Sequence, residues 1–151
     1  MVDRFQRDWS VDRKAHHDEG ELKREARLTD EQVDTLIESG CIELGSHSMT
    51  HANFLKLSPD EVMYELQASK FSLEKRFNVD VKSFAFPFGL YTKEQVALVE
   101  RAGYRSAVTT EEGIEALRDA KRLELKRIKI SGKDNWLAFL VRMRSGRRGW
   151  K

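Results

Sequence analysis

The chain has 151 residues, 40% of them hydrophobic and 34% charged, with a formal net charge of +2. That is the length of one domain with room for a proper core, and so small a net charge excludes an argument for nucleic acid from charge alone. The single cysteine, Cys41, excludes an intrachain disulfide and a cysteine-only metal cluster, and no apolar run reaches the roughly 18 residues of a membrane span.

Residues 1–28 are polar, charge-dense and poor in periodicity. The opening Met1-Val2-Asp3-Arg4 lacks the apolar core of a signal peptide, and localisation is left open. Trp9 is the large apolar side chain expected to pin this segment to the core. His16-His17-Asp18 has the residue types of a ligand cluster. Adjacent side chains in extended backbone point to opposite sides, however, and the flanking Arg13, Lys14, Glu19 and Glu21 read as solvated loop.

From Thr29 a grammar of helix and strand begins. Thr29-Asp30-Glu31-Gln32 is a capping box, Val33, Leu36 and Ile37 form an apolar face, and Gly40 is a C-terminal stop. Cys41-Ile42-Glu43-Leu44 then reads as a buried strand, with Cys41 buried in it. Ser58-Pro59-Asp60-Glu61 opens a second helix with proline at its first position. Its stripe is Val62, Leu66, Leu73 and Phe77, with Met63 and Phe71 beside it, and Asn78 suits a left-handed end. A β-rich run, Val81 to the turn Phe86-Pro87-Phe88-Gly89, follows. Residues 92–95 repeat the capping box, Val96, Val99 and Ala102 are the expected buried face, Gly103 is the stop, and residues 104–109 are a strand.

Beyond these units, a helical turn is expected over residues 114–117, a strand over 123–130 and a final helix over 135–143 with Trp136, Leu137, Phe139, Leu140 and Met143 apolar. From Lys121 onward Lys and Arg outnumber acids 11 to 2. That end reads as solvated, because aromatic residues are not interleaved with it as in a stacking platform.

Three helix–strand units in succession predict an α/β fold with a parallel sheet and covering helices. Ligands in such folds sit at the carboxyl ends of the strands. His47 and His51 in Gly45-Ser46-His47-Ser48-Met49-Thr50-His51, and the Phe86–Gly89 corner, all fall there. Two neutral imidazoles four residues apart can turn to one divalent cation, with the small hydroxyl residues between them supplying outer hydrogen bonds. The alternative is a pair of histidines satisfied in the core or at the surface.

These segments together resemble the polysaccharide deacetylase (NodB-homology) family. Residues 45–51 with Ala52-Asn53-Phe54 are similar to its H-[ST]-x-x-H motif, and Phe84-Ala85-Phe86-Pro87-Phe88-Gly89 to the FAYPFG form of its next one. Residues 101–110 and Leu125-Lys126-Arg127-Ile128 continue the pattern, so that the resemblance covers residues 9–143. It implies a distorted (β/α) barrel, partial here, that removes N- or O-acetyl groups from carbohydrate with a divalent metal, often zinc, which polarises the acetyl carbonyl and activates water. His47 and His51 would bind the metal. The backbone amide near Phe88 would help hold the oxyanion. Phe86, Pro87, Phe88 and Tyr91 would line the sugar site, and Arg127 would orient an acidic partner.

The family's T-F-D-D motif, source of the general base and an aspartate ligand, does not occur in this sequence. The arginine of some members' proline motif is replaced around Ala85, and no histidine follows His51. The resulting organisation is a polar lead-in over residues 1–28, a deacetylase domain lacking its opening strands over 29–143 and a basic tail over 144–151. The expected partner is an N-acetylated polysaccharide or oligosaccharide, without nucleic acid or a membrane span, and with self-association through exposed sheet edges. A non-catalytic carbohydrate- or metal-binding remnant of the same fold is the alternative function.

Overall fold

Each helix in the first three units begins where a hydroxyl can satisfy orphan amide groups. Thr29, Ser58 and Thr92 all close full capping boxes, with Gln32, Glu61 and Gln95 reaching back. The computed structural model describes residues 28–146 apart from 117, 119 and 133. Trp9, the His16-His17-Asp18 cluster and the basic tail beyond Gly146 lie outside the described residues.

The elements run α1 (Asp30–Glu38), β1 (Gly45–Ser46), α2 (Pro59–Phe77), β2 (Ser83–Ala85), α3 (Lys93–Arg101), β3 (Ser106–Glu112), β4 (Leu125–Arg127) and α4 (Trp136–Ser145). The four strands form one parallel sheet in the order β1-β2-β3-β4. An order without reversal, with right-handed crossovers, keeps the connecting helices on one side of the sheet, as in a (β/α) barrel. Here the barrel is partial and not closed. The edge strand β1 is only two residues long, which limits the edge-to-edge pairing that an open sheet invites.

The core lies between α2, α3 and the sheet. Phe54, Val62, Leu66, Val81, Val99 and Ala107 are fully buried, and Phe84, Phe86 and Tyr104 nearly so. Burial of each large side chain is worth roughly 1.5–3 kcal/mol. Asn78 ends α2 in the left-handed region, at φ 50° and ψ 46°, and Gly40 and Gly103 follow their helices with positive φ.

Several expectations are corrected. The apolar run at residues 41–44 forms no ladder; β1 starts at Gly45, and Cys41 and Ile42 are exposed. Gly45 packs so closely on Ser83 that a Cβ there would lie 3.3 Å from the Ser83 carbonyl oxygen, so the partner strand rather than local hydrophobicity sets where pairing begins. Helix α1 buries no residue and is tied to α2 by Asp30, which accepts from Arg76. Phe71 is exposed beneath Lys75. On α3 the buried side chains are Gln95, Leu98 and Val99, with Val96 and Ala102 half-buried. Residues 114–116 are not helical, and the strand expected over 123–130 is only β4. In α4 the buried residue is Arg142, paired with Asp134 at 2.6 Å, while Trp136 and Leu137 face solvent.

Candidate functional site

His47 directly follows β1, and its Nδ1 lies 2.7 Å from the Ala85 carbonyl oxygen. The ladder pairs Gly45 with Ser83 and Ser46 with Phe84, so this contact occupies the next rung with a side chain in place of an amide. A carbonyl accepts only, so Nδ1 carries the proton and, in the neutral imidazole, Nε2 keeps the lone pair. His51 is buried, and its ring centroid is 4.7 Å from that of His47, at an interplanar angle of 70°.

The loop between them is tightly specified. Ser48 and His51 both have positive φ, 65° and 66°, a conformation that costs a non-glycine residue about 1–3 kcal/mol. The Ser48 hydroxyl accepts from the His51 amide at 2.9 Å. Glu65 of α2, buried, accepts from the amides of Met49 and Thr50 at 2.9 Å each, and from the Thr50 hydroxyl at 2.8 Å. Past His51, Gln95 donates to the Phe54 carbonyl at 2.7 Å and so fastens the following turn to α3.

The proline corner reaches the same place. Phe88, at φ 59°, puts its ring centroid 4.5 Å from that of His51. Gly89 has φ 68°, and a Cβ there would meet Thr110 Oγ1 at 2.0 Å. Phe86 and Pro87 are buried beneath the corner. Tyr91 stacks on Phe86 at 4.2 Å and donates to Glu124 at 3.2 Å. Burial first, and the Glu124 carboxylate second, push the Tyr91 phenol up to about 12. Arg127 lies farther along the sheet on β4, in register with Glu112, and its Nε donates to the Thr109 carbonyl.

The structure therefore gathers His47, His51 and Phe88, with Tyr91 adjoining through Phe86 and Arg127 two strands beyond β2. Among the described residues no group of three or more His, Cys, Asp or Glu side chains converges as a metal cage. Glu65 is not singled out from the sequence, where it reads as an ordinary helix polar residue, and Gln95 reads there only as the closing member of a capping box, without its tie to Phe54. The local signal for these contacts is position: Glu65 falls on the helix face carrying Val62 and Leu66, and Gln95 on the face carrying Leu98 and Val99.

Known proteins resemble this chain in sequence and in fold. The sequence profile of the polysaccharide deacetylase family matches residues 9–107. The Bacillus subtilis protein YxkH, assigned as a polysaccharide deacetylase, is 32% identical over 104 residues, covering 69% of this chain and 37% of its own length. The Streptococcus pyogenes deacetylase PplD, solved in complex with acetate, is 29% identical with a TM-score of 0.66, covering 74% of this chain and 49% of that one. A polysaccharide deacetylase from Bacillus cereus is 27% identical with a TM-score of 0.70, covering 78% of this chain and 37% of its own. This chain thus spans between about a third and a half of the length of these relatives. With the family profile running through β1, the histidine loop, the proline corner and into β3, the chain belongs to the polysaccharide deacetylase family.

Proposed function

We propose that this chain carries the histidine half of a metal-dependent hydrolase that removes acetyl groups from N-acetylated polysaccharide, cutting a carbon–nitrogen amide bond. The observation carrying this reading is the paired presentation of His47 and His51 beside the Phe88 corner. The donor chemistry fits a divalent cation such as zinc as two of its ligands: neutral imidazoles suit it, and the Ala85 carbonyl fixes the His47 tautomer from behind. A third, acidic ligand and a general base are required besides. When bound, such a cation supplies Lewis-acid polarisation of the acetyl carbonyl and lowers the pKa of water.

The chain's own residues do the rest. The Phe88 backbone amide, set in a left-handed turn, donates to the oxygen that gains charge. Phe88 and Tyr91, half-buried over the buried Phe86 and Pro87, form the apolar wall for a sugar ring. Arg127, anchored on Thr109, orients an acidic group near the far side of the sheet. That the Streptococcus pyogenes relative is a deacetylase solved in complex with acetate supports acetyl chemistry. Because the T-F-D-D motif, the family's source of the general base, does not occur in this sequence, hydrolysis by these 151 residues alone is expected to be slow.

The absence of a third ligand among the described residues favours a second reading, a non-catalytic carbohydrate- or metal-binding domain. Acetate release from N-acetylglucosamine oligomers with added zinc separates the two. Turnover that is abolished in His47→Ala, and raised by adding a segment bearing T-F-D-D, supports the hydrolase. Oligomer binding with no acetate under either condition supports the binding domain.

A further inference from the structure

We infer that Glu65 is a positioning residue for the two imidazoles, acting through the backbone between them rather than by touching a cation or substrate. This rests on the metal-site reading of His47 and His51 given above. Glu65 is 6% exposed, and its carboxylate is aimed at the histidine loop. One oxygen, Oε2, takes two consecutive amides, Met49 and Thr50, at 2.9 Å each, and the other takes the Thr50 hydroxyl at 2.8 Å. Those residues are the middle of a five-residue segment whose second and last members, Ser48 and His51, are both left-handed. Two consecutive amides converging on one acceptor fix the orientation of the peptide planes that join the histidines. The Ser48 hydroxyl, held to the His51 amide at 2.9 Å, completes the turn.

The two imidazoles are consequently secured from different elements. His47 is indexed to β2 through Ala85, whereas the path from His47 to His51 is indexed to α2 through Glu65. Removing the clamp leaves His47 seated and lets His51 wander from the angle at which both rings serve one centre. Glutamine is the informative replacement. Its carbonyl oxygen can accept from both amides, and its amide group can donate to the Thr50 hydroxyl, which accepts as well as it donates. A carboxylate acting as ligand or base could not be replaced in that way.

The test uses the full chain and zinc alone. Zinc affinity is measured by calorimetry for wild type, Glu65→Ala, Glu65→Gln and Thr50→Val, each below its own melting midpoint. Amide and imidazole resonances are recorded for the metal-free proteins. Expected are a roughly 10–100-fold loss of affinity in Glu65→Ala, the size typical of outer-shell supports, near-wild-type affinity in Glu65→Gln and an intermediate loss in Thr50→Val. The Met49, Thr50 and His51 amides should shift in Glu65→Ala while His47 Nδ1–H stays in place. Glu65→Gln as weak as Glu65→Ala, or unmoved loop amides in Glu65→Ala, overturns the inference. If Glu65→Ala does not fold, Thr50→Val decides: wild-type affinity together with unmoved loop amides overturns the clamp. Failure of wild type to bind zinc defeats the metal-site reading instead, and the clamp then stands or falls on the metal-free spectra.

Discussion

Replacing Gly89 with alanine tests whether the proline corner is built around the absence of a side chain. The new Cβ would lie 2.0 Å from Thr110 Oγ1, 2.5 Å from Cγ2 and 2.7 Å from Cβ. Rotating Thr110 about χ1 moves the first two atoms but not the third, so the strand or the corner must shift. Alanine also inherits φ 68°, which costs an L-residue roughly 1–2 kcal/mol, and forced overpacking adds about 1–3 kcal/mol. A total near 3 kcal/mol corresponds to a melting shift of roughly 10 °C for a chain of this size, or a urea midpoint lowered by about 1.5 M at a slope of about 2 kcal/mol per M. Urea melts of G89A, G89A/T110A and G89A/T110G give the check. T110A leaves the Thr110 Cβ position occupied and should restore little, whereas T110G removes all three atoms and should recover most of the steric part. A midpoint for G89A within about 0.3 M of wild type, or equal rescue by T110A and T110G, refutes the reasoning.

Three further outcomes are expected. Ser58→Ala should destabilise the fold by about 1 kcal/mol in chemical melts, because α2 carries buried Val62 and Leu66; Thr29→Ala should leave the global midpoint almost unmoved and only raise hydrogen exchange in α1, which buries nothing. Phe54→Ala should cost about 3–5 kcal/mol, since Phe54 is fully buried and stacks on Phe84 at 6.0 Å; a loss under about 1 kcal/mol would be too small for a core cavity. For Tyr91 the folded phenol titrates at about 12 against an ordinary 10.0, so the fold favours the neutral form. Its contribution is intact below pH 10.0 and lost as the pH rises toward 12. The stability of wild type relative to Tyr91→Phe, followed by urea midpoints at alkaline pH, should therefore be flat below that window and fall across it.

Short-range chemistry was the most legible part of the sequence. A hydroxyl with a Glu or Gln three residues on identifies a helix start without knowledge of the rest of the fold, and all three boxes form. The alternation of helix and strand carried the parallel order, and two motifs far apart in sequence, around His47 and Phe88, meet as the topology demands. What escaped depends on partners. Residues 41–44 have a strand's hydrophobicity, but pairing begins only where Gly45 meets Ser83. Phe71 lies beside the apolar stripe of α2 and on its solvent side. Glu65 and Arg142 carry charges that normally mark a wet helix face, yet each is buried because a specific set of donors, for Glu65, or a counter-ion, for Arg142, awaits it. The role proposed for Arg127 is no easier to read from the chain, because its place opposite Glu112 depends on an irregular stretch of the β3–β4 ladder.

The rung occupied by His47 has a consequence for insertions and deletions. Because its imidazole takes the position that an amide would hold opposite Ala85, inserting one residue between Ser46 and His47, or deleting Ser46, would shift His47 by one rung and take the ring off that position. Extra residues in the exposed turn at Asn78 or Asp80 leave the strand pairing, and therefore the ring, where it is. Length variation compatible with a working site should thus collect in the return path of each crossover, and the step from strand to first histidine should admit none.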